Sequence, residues 1–260
     1  MDLEKKEIIR DYKEQKKRLR EKYSLSKSLI KKDLYSDLDA LTDESGKKVV
    51  VNPPKRNKLE EIGNSVTHLV GSAFSIVAFL LMCTSADSVR EVIGALIYSF
   101  GLFVMFTVSC LYHAFPYGST VKRLFRRLDY SSIYLLIGAT FAPILLSYIG
   151  GTLGITYLII QWCVIATGIT LVGVFGPSRL RFIHIPLYVL LGWCGLVFIP
   201  DMIANGDFGF IALILGGGVI YSLGIIPFAL KKGCAHFIWH FFVLAGAIVQ
   251  WVGVYTVIYK

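Results

Sequence analysis

Seven long apolar stretches occupy the chain after residue 60, and their length constrains the fold more than any other feature. A helix that crosses a bilayer needs about 20 mainly apolar residues, and each stretch is close to that length. They are continuous runs, unlike the ten-residue alternations of membrane β-barrels. The sequence therefore predicts an all-α bundle of seven transmembrane helices. The predicted spans are Ile62–Thr84, Val92–Tyr112, Tyr130–Tyr148, Leu153–Phe175, Ile183–Pro200, Phe208–Leu230 and Ala235–Ile258.

Charged residues are concentrated in front of these stretches. They make up only 17% of the 260 residues, below the roughly 25% of an average globular protein. Residues 1–62 contain 17 Lys or Arg and 13 Asp or Glu, and the other 198 residues contain only 10 and 5. This distribution predicts a polar, charged N-terminal segment over residues 1–57 and a membrane domain over residues 58–260.

The N-terminal segment mixes both signs of charge with apolar residues at intervals of a few positions. This pattern is typical of an amphipathic helix or a short coiled coil, and we expect a solvated or membrane-skimming tail rather than a folded domain. Two adjacent prolines within Asn52–Lys55 indicate a linker into the first span. No cleavable signal peptide is visible, because sixty polar residues precede the first apolar run. The apolar positions are Ile8, Tyr12, Leu19, Tyr23 and Ile30.

Basic residues alternate between the two sides of the predicted bundle. The N-terminal segment has 17 Lys or Arg, and the connections after the second, fourth and sixth helices have 4, 2 and 2. The opposite side has 1, 0, 0 and 1. Since cytoplasmic loops carry the excess of Lys and Arg, we predict a multi-pass protein of the cell membrane with its N-terminus in the cytoplasm and Lys260 outside.

The net charge of +9 has a simple explanation in this topology. Basic residues next to a membrane face orient the helices and contact anionic lipids. We therefore expect membrane lipids as partners and no nucleic acid, whose binding would need a dedicated basic surface.

His236 and His240 lie one helical turn apart in the seventh apolar stretch. Ionisable groups at membrane depth are costly and tend to mark functional sites. The spacing of four residues places both imidazoles on one helix face, where they can share one metal ion.

The predicted topology brings further polar residues to the same cytoplasmic side. Ser109 and His113 lie where the second helix ends there, and Asp129 lies where the third helix begins. Three histidines with one open position form a hydrolytic site of the kind that activates water on zinc. Imidazole ligands without a thiolate cluster favour Zn²⁺ over softer-metal sites.

The cysteines leave an alternative ligand set open. All five lie in the membrane region without a CxxC pair, so they imply no disulfide framework. Cys110 precedes His113 by three positions and could share its helix face, which would give a site of two histidines and a cysteine. Cys234 lies two positions before His236.

The remaining polar candidates also have more than one interpretation. Asp129 is either an ion-pair partner of Arg126 or Arg127, or a carboxylate that orients a water or a histidine near a metal. His68 is expected to form an interhelical hydrogen bond, with a role beside the site or as a proton carrier left open. His184 is expected at the membrane interface without a functional role.

Taken together, these motifs resemble the hemolysin III proteins and their relatives, the progestin and adipoQ receptors. The resemblance covers residues 58–260. It implies a zinc ion held by His113, His236 and His240, with Asp129 and Ser109 as catalytic residues around the water at the metal. The matching motifs are Glu61-x-x-Asn64-x-x-Thr67-His68-x-x-Gly71, Ser109-x-x-x-His113, Asp129 and His236-x-x-x-His240.

The resemblance also implies an activity. Adiponectin receptors of this family are similar to alkaline ceramidases in site design, and both are associated with hydrolysis of a lipid amide. A zinc-dependent hydrolase of a lipid amide or ester is therefore the leading hypothesis. Two alternatives stay open: a membrane sensor or regulator with a structural zinc, which would need a fourth protein ligand, and a pore-forming cytolysin, which only the family name suggests.

Overall fold

Seven helices long and apolar enough to cross a membrane follow one another between Lys58 and Tyr259, as the sequence predicts. The computed structural model describes residues 12–24, 40–42, 48–50, 52–230 and 233–260, and only the backbone of the two three-residue segments. The spans are Lys58–Thr84, Val89–Ala114, Thr120–Ile149, Gly151–Phe175, Arg181–Ala204, Phe208–Ala229 and Ala235–Tyr259.

The chain divides into two compact units, Met1–Asn52 and Pro53–Lys260. In the first unit, residues 12–24 form helix α1, whose apolar side chains are exposed. Two short strands, β1 (Ala40–Thr42) and β2 (Lys48–Val50), pair antiparallel with Leu41 opposite Val49. Ile8 and Ile30 lie outside the described residues, so the amphipathic pattern is seen only in its middle part.

The second unit contains the membrane spans, of which four are single α-helices. These are α2 (Lys58–Thr84), α3 (Val89–Ala114), α5 (Gly151–Phe175) and α8 (Phe208–Ala229). The other three spans change helical form along their length. They are α4 (Thr120–Pro143) with the π-helical turn Ile144–Ile149, α6 (Arg181–Trp193) with the 3₁₀ segment Cys194–Phe198 and α7 (Ile199–Ala204), and α9 (Ala235–Val254) with the π-helical turn Tyr255–Tyr259.

Proline explains the change within the third span. Pro143 has no N–H to donate, so the regular hydrogen-bond ladder is interrupted and a wider turn follows. At its end the N–H of Gly150 donates to the carbonyl of Leu145 at 3.1 Å.

The third span begins ten residues earlier than the apolar pattern predicts. It was expected from Tyr130, with the basic run before it in a loop, but α4 begins at Thr120. The Ser119 hydroxyl accepts a hydrogen bond from the N–H of Lys122 at 3.1 Å and caps the helix. Since Lys, Arg and Leu are strong helix formers, the basic run is helical, and Asp129 lies in the third turn instead of at the helix start.

Small residues let the helices around the site approach closely. A side chain at Gly71 on α2 would collide with the Phe106 ring on α3, and one at Gly101 on α3 would collide with Ala139 on α4. Close contacts of this kind drive helix association in membranes, where the hydrophobic effect between helices is absent. They fix the positions of the polar side chains that α2, α3 and α4 present to α9.

Candidate metal centre

His113 on α3 and His236 and His240 on α9 form one cluster of imidazoles. A ring nitrogen from each lies within 4.8 Å of those from the other two. The ring centroids are 5.2 Å apart for His113 and His236, 4.8 Å for His113 and His240, and 4.9 Å for His236 and His240. No other group of this kind occurs among residues that the structure describes. The three predicted ligands are thus brought together across 127 residues of chain.

Hydrogen bonds determine which nitrogen of two rings can bind a metal. Nδ1 of His113 lies 2.6 Å from Oε2 of Glu61, and Nδ1 of His240 lies 3.1 Å from the backbone carbonyl of Asn64. Both oxygens accept, so each Nδ1 carries a proton and donates it. The Nε2 atoms keep the free lone pair that a metal needs.

The free nitrogens also show that the cluster fits a metal ion. Nε2 of His113 and Nε2 of His236 are buried, and no described residue forms a hydrogen bond with either. Buried polar atoms without a partner are rare because they cost free energy. A divalent ion held by the three rings would satisfy both nitrogens.

Glu61 and Lys122 form an outer layer behind His113. Oε1 of Glu61 accepts from Nζ of Lys122 at 3.0 Å. The same ammonium donates to the carbonyls of Tyr112 and Phe115 at 3.0 Å each, which lie at the end of α3, where carbonyls lack helical partners. A carboxylate behind a ligating histidine fixes the tautomer and the orientation of the ring. Glu61 therefore positions His113.

Asp129 and Ser109 line a pocket of about 520 Å³ beside the cluster, together with His236 and His240. The Ser109 hydroxyl lies close enough to the Asp129 carboxylate to interact with it. Within the described residues Asp129 forms no ion pair. Arg126, one of the two arginine partners that the sequence left open, attracts the Asp129 carboxylate but does not form a close ion pair with it.

The cysteines lie outside the cluster. Cys110 is turned toward α2, where its sulfur lies 3.3 Å from the Ser65 hydroxyl and its carbonyl accepts from the same hydroxyl at 3.0 Å. Cys234 is exposed and immediately precedes α9 in a left-handed conformation with φ of 63°. A site of two histidines and a cysteine is therefore not formed by the described residues.

His68 makes the interhelical contact expected of it, with α9, but without a hydrogen bond of regular geometry. The ring is buried, and neither nitrogen has a hydrogen-bond partner among the described residues. It stacks on His240 with centroids 3.8 Å apart and lines the same pocket as Asp129. His68 is thus a polar neighbour of the site. His184, expected at the interface, is fully buried, with Nδ1 2.9 Å from the Tyr134 hydroxyl.

An apolar cavity adjoins this pocket. It encloses about 940 Å³ of empty space, part of it open to the surroundings, and is lined mainly by α4, α6, α8 and α9. The pocket and the cavity share one set of wall residues. These are Met105, Ile133, Phe228, Trp239 and Val243.

Two basic residues beside the site are more buried than the sequence predicts. As topology signals and lipid contacts, Lys122 and Arg126 are expected at the surface, but they are only 1% and 8% exposed. Glu61 appeared only within the family motif. For Glu61 the sequence signal is an acid directly before the first apolar stretch, and for Lys122 and Arg126 it is Ser119 as a helix cap followed by strong helix formers.

These features define a multi-pass membrane protein with a potential metal site between its spans. The chain belongs to the family of haemolysin-III related proteins, whose sequence model matches residues 56–251. This confirms the resemblance drawn from the motifs, and the seven spans confirm the predicted fold class and membrane location.

Individual relatives come from bacteria and mammals. The chain is 35% identical to hemolysin-3 of Bacillus cereus over 192 residues, which cover 72% of this chain and 87% of the relative. It is 32% identical to a hemolysin-3 homolog of Bacillus subtilis (strain 168), with coverage of 72% and 89%. It is 29% identical to the human monocyte to macrophage differentiation factor, of the progestin and adipoQ receptor group, with coverage of 77% and 85%.

Proposed function

We propose that this protein is a zinc-dependent hydrolase of a lipid amide or ester. The observation that carries the proposal is a three-histidine cluster, without a fourth protein ligand in the described residues, beside a pocket and an apolar cavity. Structural zinc sites usually have four protein ligands, whereas catalytic sites keep one position for water or substrate. A set of three imidazoles suits Zn²⁺.

Zinc, when bound by the Nε2 atoms, supplies Lewis acidity for the substrate carbonyl and for water. The side chains of the protein supply the proton transfers. Asp129 takes a proton from the attacking water and delivers it to the leaving amine or alcohol. Ser109 donates a hydrogen bond that keeps the Asp129 carboxylate turned toward the reacting group.

The apolar cavity holds the acyl chain in this proposal. Its wall contains few polar atoms, and Gly192 in that wall is exposed. An acyl chain can therefore enter from the hydrocarbon layer, with its carbonyl next to the histidines. The location of the cavity supports a lipid substrate over a water-soluble one.

The test is lipid hydrolysis by purified, zinc-loaded protein, with wild type beside Asp129→Asn and Asp87→Asn. Asp87 is an exposed acid at the opposite end of the bundle. We expect Asp129→Asn to lower kcat about 10²–10⁴-fold at unchanged zinc content, as for loss of a general base, and Asp87→Asn to leave kcat unchanged. Zinc-loaded protein that hydrolyses neither N-acyl sphingosine nor other acyl amides and esters would contradict the proposal and leave the zinc with a structural or sensory role.

We further propose that the histidine cluster lies at the cytoplasmic side, with the N-terminus inside and Lys260 outside. The distribution of Lys and Arg supports this orientation. Protease protection of tags at both ends of the chain in sealed inverted vesicles is the measurement. An N-terminal tag that is protected, with a C-terminal tag that is digested, would reverse the assignment.

A further inference from the structure

Two arginines line the pocket beside the histidine cluster, and each has one guanidinium nitrogen without a hydrogen-bond partner among the described residues. Arg56 lies two residues before the start of α2, and Arg126 lies in the second turn of α4. Both lie in the wall of the pocket that contains His236 and His240. Nη1 of each is buried, and no described residue accepts a hydrogen bond from it.

The acids nearby do not form hydrogen bonds with these two nitrogens. Within the described residues, Arg56 forms one ion pair, between its Nε and Oε1 of Glu60 at 3.8 Å, which is too long for a hydrogen bond. Arg126 forms none within the described residues. Glu61 is already engaged by His113 and Lys122. Asp129 is the acid in the pocket wall, and it attracts both guanidinium groups without a close ion pair to either among the described residues. The pocket wall therefore contains two guanidinium groups and one carboxylate.

The burial of Arg126 separates it from arginines that contact bulk lipid. Such arginines extend along the helix so that the charge reaches the head-group layer. Arg126 is only 8% exposed and has its guanidinium 5.9 Å from the centre of the Tyr130 ring, another residue of the pocket wall. A buried charge without a hydrogen-bonded counter-charge is costly. A bound anion would remove that cost.

We propose that Arg56 and Arg126 bind a carboxylate or phosphate on the amine side of the substrate. The preferred substrates are then single-chain lipid amides with an anionic head group, rather than neutral amides such as ceramides. Guanidinium groups bind such oxygens in pairs of parallel hydrogen bonds. The inference rests on the proposed function for the position of the scissile bond and on the pocket alone for the anion.

The order of the groups along the site supports this assignment. The apolar cavity lies behind Phe228, Trp239 and Val243, the histidines lie next to that wall, and the arginines lie in the pocket with them. A lipid with its chain in the cavity has its carbonyl at the histidines. The group beyond the carbonyl, on the amine side, then lies against the arginines.

The experiment compares two probes that differ in one group. N-dodecanoylglycine and N-dodecanoylethanolamine share the chain and the amide, but only the first has a carboxylate. Their dissociation constants are measured on the full-length protein in nanodiscs, both zinc-loaded and zinc-depleted. We expect wild type to bind the anionic probe about tenfold or more tightly in both states, the amount that hydrogen bonds to a charged group supply.

Variants assign the preference to the arginines. Arg56→Met and Arg126→Met should each reduce the preference for the anionic probe, and Arg126→Lys should keep part of it, because the charge remains and the planar fork is lost. Arg90→Met is the matched control, since Arg90 is exposed at the opposite end of α3. Unchanged zinc content shows that each variant is folded, and Arg56→Met and Arg126→Lys keep the test usable if Arg126→Met does not fold.

Three results of the binding experiment would overturn the inference. The first two are equal affinity of wild type for both probes and an anion preference that survives in all the arginine variants. The third is competition by inorganic phosphate as strong as that of N-dodecanoylglycine, which would mean a site for free anions. The outcome is separate from that of the proposed function. Anion-selective binding without hydrolysis would contradict the proposed enzyme activity and support the anion subsite. Hydrolysis of both probes with equal efficiency would contradict the subsite and support the enzyme activity.

Discussion

The pocket around the histidines and the apolar cavity next to it share a wall but differ in whether their polar atoms have hydrogen-bond partners. In the cavity wall, Thr140, Ser222 and Gln250 donate to backbone carbonyls of the bundle. In the pocket, by contrast, His68 and Arg126 have buried nitrogens without partners among the described residues. The cavity wall thus satisfies most of its own polar groups, and the pocket does not.

This difference predicts that the two regions select different parts of a ligand. An apolar wall can hold a chain, but it distinguishes ligands only by length and shape, since one methylene contributes about 0.8 kcal/mol. Unpaired donors and acceptors discriminate by chemistry, because a ligand that fails to pair them leaves their cost in place. Selectivity for the metal and for the head group is therefore expected in the pocket, and selectivity for chain length in the cavity.

The largest expected effect is loss of the metal from the pocket around the histidines. His240→Ala removes one of three ligands, and we expect zinc affinity to fall by more than about 100-fold, beyond the effect of an outer-layer partner. His184→Ala is the matched control, because His184 is equally buried but hydrogen-bonded to Tyr134 outside the cluster. Zinc competition with a chromophoric chelator measures both. Equal affinity in the two variants would remove His240 from the site.

The next effect tests whether the layer behind the ligands matters. Glu61→Ala removes the acceptor for Nδ1 of His113, and zinc affinity should fall about 10–100-fold. Glu61→Gln keeps an oxygen acceptor and should lose less. Glu91→Gln at the far end of α3 is the control for a changed acid. If Glu61→Gln lost as much affinity as Glu61→Ala, the tautomer would not be what Glu61 controls.

The third effect lies in the cavity. No atom lies within 4 Å of a Cβ added at Gly192, which is in the cavity wall, so Gly192→Leu should fill part of the space. Displacing about two methylenes of a bound chain corresponds to roughly a tenfold loss of affinity. The measurement is the binding of neutral lipids with acyl chains of roughly 8 to 18 carbons, because each buried methylene contributes about 0.8 kcal/mol.

The control for this substitution is Gly216→Leu. Gly216 also has open space around its Cβ position, but it does not line the cavity. A loss that grows with chain length in Gly192→Leu alone would support the cavity as the chain site. Equal behaviour of the two variants, or a loss independent of length, would argue against it.

The smallest effect concerns a polar contact away from both regions. Tyr134→Phe removes the hydroxyl that pairs with His184 at 2.9 Å, and we expect a loss of about 0.6 kcal/mol in free energy of unfolding, typical of such contacts in membranes. Unfolding by detergent titration measures it, with Tyr157→Phe as control. A loss above about 3 kcal/mol would mean that the pair does more than join α4 to α6.

Local chemistry explains what could be predicted from the sequence. Continuous hydrophobicity defined the seven spans, and the spacing of His236 and His240 on one helix face pointed to a shared ligand. The start of α4 was missed, because a span predicted from apolar character cannot include the basic turns that Ser119 caps. The stacking of His68 was missed for another reason: whether a buried ring stacks or forms a hydrogen bond depends on the neighbour that another helix supplies.

The sequence by itself determined that this protein is a seven-helix membrane protein of the haemolysin-III related family and which three imidazoles could share a metal. These properties reside in apolar runs, in spacings within a helix, in the alternation of basic loops that puts helix ends on one side, and in the family motifs. Tertiary structure alone decided that Glu61 and Lys122 stand behind His113, that Arg126 is buried in the pocket, and that an apolar cavity lies next to it. Each of these depends on how closely helices that are distant in sequence approach one another. The small residues at the helix contacts permit this approach, but their positions in the sequence do not predict it.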